Sequence, residues 1–177
     1  QISRRGKYII FYLDTTDHLI VHLGMSGVLL YLSDDTITCP VNIKYNHLIF
    51  YLNDGSQVIY NDIRQFGKIW LLRENETLDR IEDLGIEPLG SRFTLEKLWG
   101  MLNHHKGKIK SLLMNQRYIA GIGNIYANEI LFHAGINPTR QSCSLQFSEV
   151  EKLFSQIKDI LNRAINSGGT TIIDETY

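Results

Sequence analysis

The feature that most limits what this chain can fold into is a change of hydrophobic period near residue 74. Before it, apolar residues come in short runs rich in β-branched and aromatic side chains. The runs are Lys7–Leu13, Leu19–Leu23, Val28–Leu32, His47–Leu52, Gln57–Tyr60 and Phe66–Leu72. Turn residues separate them: Asp14 to Asp17 between the first two, Gly24 to Gly27 before the third, and Asn53-Asp54-Gly55, a strong hairpin signal, between the fourth and fifth. Sequential short strands of this kind predict an antiparallel sandwich or barrel. After residue 74 the period becomes helical. Four segments carry it: Phe93–His105, opened by Thr94; Ile109–Asn115; Gly123–Ala134, ended by Gly135 and Pro138; and Ser148–Asn166, for which Ser148 and Glu151 suggest a capping box. The fold class expected is therefore α+β. A β-sandwich or barrel domain over residues 1–73 and a helical domain over 92–177 flank an acidic linker at 74–91.

Charge adds a local signal to an uninformative total. The net charge is −1. Residues 74–87 hold six acidic residues against Arg80, whereas residues 101–140 hold Lys106, Lys108, Lys110, Arg117 and Arg140 against Glu129 alone. A basic face of that kind suits phosphates, although on charge alone a solvated surface is the better account. The two cysteines, Cys39 and Cys143, lie far apart in the chain and form no C-x-x-C pair, so this chain cannot supply a four-cysteine zinc site. Sparse cysteine fits a reducing cytoplasm, and no apolar run reaches the ~20 residues of a membrane span.

The segment Lys108–Pro138 is the richest in chemistry. A short helix leads through Gly121 and Gly123 into a second helix, with Asn124 placed to cap it. Glycines before a helix N-terminus free backbone amides for a phosphate, with Lys108 and Lys110 close by in sequence. Spacing alone permits a purely structural hairpin.

The stretch AGIGNIYANEILFHAGINP, from Ala120 to Pro138, resembles the helix–two-turn–helix signature of the formamidopyrimidine-DNA glycosylases. HLGMSG at His22 to Gly27, NDIRQFG at Asn61 to Gly67, LGIEPL at Leu84 to Leu89 and SGGTTIID at Ser167 to Asp174 follow the family's order, and RRGKYIIF near the start also fits. The resemblance covers nearly the whole chain. It implies a bifunctional glycosylase and abasic-site lyase that flips oxidised purines, such as 8-oxoguanine and formamidopyrimidines, out of double-stranded DNA. It also implies a monomer of the bacterial cytoplasm and nucleoid.

The resemblance assigns roles by position. Met25, Arg64 and Phe66 match the trio that fills the hole left by the flipped nucleotide. Core packing would explain Met25 and Phe66 on spacing alone; Arg64 in a turn is harder to explain that way. Lys7 matches a lysine beside the lesion, and Glu129 a helix glutamate near the catalytic amine. His22, Lys110, Gly123 and Asn124 match contacts to the DNA backbone. The family usually has Pro and Arg where this chain has Ile63 and Gln65, so Gln65 receives no role. Family members open with Pro-Glu, whose proline amine is the nucleophile, and end in a zinc finger. Neither is in this sequence, so the chain as given is expected to be inactive and metal-free, with one structural zinc in the intact protein. Two alternatives remain: a binding module for damaged or bent DNA, and an RNA-binding helical piece, against which Met25, Arg64 and Phe66 argue. The motifs place the chain nearer the purine-repair branch than the endonuclease VIII branch.

Overall fold

The computed structural model describes residues 1–34 and 41–169, which form two compact units, Gln1–Leu78 and Asp79 onward. Cys39 and the part of SGGTTIID from Thr170 lie outside the described residues.

The first unit is two antiparallel sheets. One has the order β1-β2-β3-β7, from β1 (Ile2–Arg5), β2 (Tyr8–Tyr12), β3 (His18–His22) and β7 (Lys68–Leu72). The other has the order β4-β6-β5, from β4 (Gly27–Leu32), β5 (Asn46–Tyr51) and β6 (Gln57–Asp62). Among the described residues both sheets are open, so neither closes into a barrel. The chain crosses from the first sheet to the second after β3 and returns after β6. The β5–β6 hairpin turns at Gly55, whose φ of +84° is the left-handed backbone that glycine tolerates. Strand β1, with the sequence ISRR, has no hydrophobic pattern to reveal it; its order comes from backbone pairing with β2, Ile2 opposite Phe11 and Arg5 opposite Tyr8. At the other limit, β6 continues past Tyr60 through Asn61 and Asp62, two polar residues that are buried.

The second unit is helical: α1 (Asp79–Glu82), α2 (Leu95–His104), α3 (Ile109–Met114), α4 (Asn124–Ala134) and α5 (Phe147–Asn166). Its core is apolar and fully buried at Leu98, Leu102, Leu112, Ile122, Ile130, Leu153 and Ile157. Thr94 caps α2 by accepting the Lys97 amide at 3.3 Å. Gly135, at φ +71°, ends α4.

Two expectations at helix starts are corrected. Helix α5 begins at Phe147, and its capping box joins Gln146 to Glu149 in place of Ser148 and Glu151. The Phe147 ring packs edge-on against Trp99 at 5.4 Å, and the Glu149 carboxylate takes the Gln146 amide at 2.7 Å while pairing with Arg140. These tertiary contacts start the helix earlier than local pattern suggested. Helix α4 is capped by the Gly123 backbone, with no side-chain cap among the described residues, and Asn124 is its first residue.

The segment Gly85-Ile86 runs beside the α3–α4 connection. Ile86 donates to Tyr118 O at 3.0 Å and accepts from the Ala120 amide at 2.9 Å. A Cβ at Gly85 would lie 2.2 Å from Tyr118 O, so only glycine permits the approach. The Gln116 side chain closes the same connection from within: Nε2 donates to Met114 O and Ile122 O, and Oε1 accepts the Gly121 amide at 2.8 Å.

Leu112→Ala should destabilise the protein by about 2–5 kcal/mol in urea unfolding, as expected for a fully buried leucine. Glu149→Ala should lower the melting temperature more than Ser148→Ala; the reverse order would contradict the observed cap.

Candidate nucleic-acid interface

The antiparallel topology gathers one set of expected residues at one end of the first unit. Lys7 leads into β2, His22 ends β3, Met25 lies in the turn to β4, and Arg64 and Phe66 lie in the turn from β6 to β7. His22 stands opposite both Tyr8 and Lys68 in the sheet, and its ring lies 4.9 Å from that of Tyr8. Its Nδ1 accepts the Gly24 amide at 3.2 Å, which fixes the start of the Met25 turn.

The two turns are docked backbone to backbone. A Cβ at Gly24, where φ is +68°, would sit 2.6 Å from the Gly67 amide nitrogen. Phe66 was expected to open a strand; it belongs to the turn, because Asp62 holds the Gly67 amide at 2.8 Å and β7 starts only at Lys68. The side chains project outward from this anchored backbone. Met25 is 72% exposed and Phe66 58%. These are not core residues: both large apolar side chains are held in solvent on fixed turns. The Arg64 guanidinium lies 3.8 Å from Met25 Sδ and 5.7 Å from the Phe66 ring centre, so the structure brings the three together.

Asp62, which sequence reasoning passed over, organises this end. It is fully buried. One carboxylate oxygen accepts Ser26 Oγ at 2.5 Å and the Arg64 amide at 3.2 Å; the other accepts the Gly67 amide at 2.8 Å and Tyr60 OH at 2.9 Å. Burial pushes its pKa upward, but the bonds from Ser26, Gly67, Tyr60 and Arg64 outweigh it and leave the carboxyl below its ordinary value. Burial and the neighbouring Asp62 push the Tyr60 hydroxyl up to about 12, so it stays a donor. Lys7 is exposed at the residue level, yet desolvation by the surrounding protein lowers its pKa. The signal for Asp62 was available: a carboxylate closing an apolar run just before a turn.

In the second unit, Lys110 lies in the first turn of α3, and Gly123 and Asn124 start α4. Glu129, on α4, lines a shallow groove with Tyr126, His133 and Arg163. Among the described residues no three His, Cys, Asp or Glu side chains converge to hold a metal, and no helix is long and apolar enough to cross a membrane.

Residues 1–69 match the formamidopyrimidine-DNA glycosylase N-terminal domain, and residues 84–176 match the formamidopyrimidine-DNA glycosylase H2TH domain. The chain belongs to the formamidopyrimidine-DNA glycosylase family. It is 44% identical over 173 residues to the formamidopyrimidine-DNA glycosylase of Wolbachia pipientis subsp. Culex pipiens, covering 98% of this chain and 62% of that protein. The Pelotomaculum thermopropionicum enzyme is 40% identical over 176 residues. Among solved structures, MutM (Fpg) of Thermus thermophilus superposes with a TM-score of 0.85 at 31% identity, covering 98% of this chain and 62% of that one. Lactococcus lactis Fpg in complex with FAPY-dG-containing DNA gives 0.86 at 34% identity, covering 99% and 65%. The chain thus spans about three fifths of the length of its curated relatives.

Asp62→Asn should destabilise the protein by about 1–3 kcal/mol near neutral pH, because the amide cannot accept all four bonds. A folded-state pKa below the unfolded one contributes stability above about pH 4, lost as pH falls through the lowered folded value. The stability gap between wild type and Asp62→Asn should therefore narrow below about pH 4 in urea titrations; a gap constant down to pH 2 would mean that the charge is not what the turn uses.

Proposed function

We propose that the intact protein is a base-excision DNA glycosylase with abasic-site lyase activity that removes oxidised purines from duplex DNA. The observation that carries this is the juxtaposition of Met25, Arg64 and Phe66, exposed on two docked turns. An exposed aromatic and a thioether suit insertion between bases, and a guanidinium suits the base left without a partner. Solved relatives bound to FAPY-dG DNA and to abasic-site DNA support the assignment of duplex DNA as partner.

The roles divide between the units. In this reading the β part (1–73) fills the gap and contacts the lesion strand through Lys7 and His22. The acidic segment 74–91 connects the two parts, with its Gly85-Ile86 stretch packed along the α3–α4 connection of the helical one. The helical part (92–177) holds phosphates at the α4 start, through the amides at Gly123 and Asn124, with Lys110 adding charge. In the same reading Lys7, whose pKa desolvation lowers, lies beside the lesion, and Glu129 lies beside the amine nucleophile of the intact protein. A structural zinc in a C-terminal finger, a monomeric state and a cytoplasmic, nucleoid-associated location belong to the same proposal.

Borohydride trapping tests the reading directly. The intact protein should form a covalent adduct with a duplex containing oxidised guanine. Tight binding without any adduct would leave a DNA-holding module instead.

Arg64→Ala and Phe66→Ala should each slow excision, the latter by the equivalent of about 1–3 kcal/mol for a lost stacking contact. Lys110→Ala should weaken binding to damaged and undamaged duplex alike and flatten the salt slope by about one, whereas Asn124→Ala should weaken binding at nearly constant slope. Salt titrations of duplex binding measure both; unchanged affinity in folded Lys110→Ala and Asn124→Ala proteins would place the phosphate contacts elsewhere.

A further inference from the structure

We propose that Ser26 and Asp62 are positioning residues for lesion recognition: their hydroxyl and carboxylate fasten the Met25 turn to the Arg64–Phe66 turn. The inference rests on the functional reading above and deepens it, since neither residue is among the side chains that project from this end.

The geometry is that of a clamp. Ser26, next to Met25 in the first turn, donates to Asp62 Oδ1 at 2.5 Å and accepts the Arg64 amide at 3.1 Å. Asp62 holds the second turn at both limits, through the Arg64 amide on one side of Gln65 and Phe66 and the Gly67 amide on the other. Gln65 between them adopts φ +57°, a conformation that a non-glycine residue keeps only when its surroundings impose it. Tyr60 OH donates to the same carboxylate from β6 and lies directly under Gly67, where a Cβ would meet it at 1.9 Å. The backbone of both turns is therefore fixed from beneath, while Met25 and Phe66 stay largely in solvent.

Exposed side chains inserted into a duplex must be ordered on binding, and a backbone already held in the bound geometry reduces that ordering cost. Only a duplex with a gap receives the trio. Loosening the clamp should therefore reduce affinity for gapped DNA and leave affinity for intact DNA unchanged. A residue that merely supports the fold would lower both.

The test uses the intact protein and two duplexes, one carrying a tetrahydrofuran abasic analogue and one undamaged, with circular dichroism to confirm folding. For Ser26→Ala the ratio of the two affinities should fall about tenfold to a hundredfold, as expected for loss of a hydrogen bond to a charged group. Asp62→Asn should lower the ratio at least as far. Ser26→Thr, which keeps the hydroxyl, should restore it. A wild-type protein that does not distinguish the two duplexes would refute the functional reading itself. A wild-type protein that does distinguish them, with an unchanged ratio in Ser26→Ala or an equal loss on both duplexes, would refute the clamp alone.

Discussion

One buried carboxylate governs the exposed end of the β unit. Asp62 accepts four hydrogen bonds, from Ser26, Arg64, Gly67 and Tyr60, and no other buried acidic residue occurs among the described residues. A buried charge is tolerated only when its lone pairs are satisfied, so the four donors and the carboxylate specify each other. The consequence is local rigidity. The chain leaves β6, passes through a left-handed residue at Gln65 and re-enters the other sheet at β7, all under the control of that one side chain.

The helical unit solves a similar problem by different means. Its α3–α4 connection is held by the neutral amide of Gln116 on one side and by the backbone of Gly85 and Ile86 on the other. The loop thereby keeps Gly121 at φ +91° and presents the start of α4 without a side-chain cap. In both units the residues proposed to meet DNA sit on short connections or at the ends of the elements they join, and the surrounding sheets and helices serve to hold those positions still.

Much of this was legible in the sequence, and the exceptions share a cause. The period change separated strands from helices, and Asn53-Asp54-Gly55 and Gly135 marked their turns because those signals are local. Strand β1 was missed because ISRR is ordered by pairing and not by burial of an apolar face. The start of α5 was misplaced because Trp99 and Arg140, distant in sequence, choose Phe147 and Glu149. The site was read through motifs, which carried roles for Met25, Arg64 and Phe66 but none for Ser26 and Asp62 beside them. Asp62 closes an apolar run just before a turn, but that its side chain joins two turns is visible only when they are seen together.

The central claim is that the Met25 and Arg64–Phe66 turns enter a gap in duplex DNA. Hydrogen–deuterium exchange of the intact protein, saturated in turn with an abasic-analogue duplex and an undamaged one, measures this directly. The account predicts greater protection at residues 22–27 and 62–67 with the abasic duplex, while the α4 start is protected by both. Equal protection of the two turns by either duplex, or none, would contradict it.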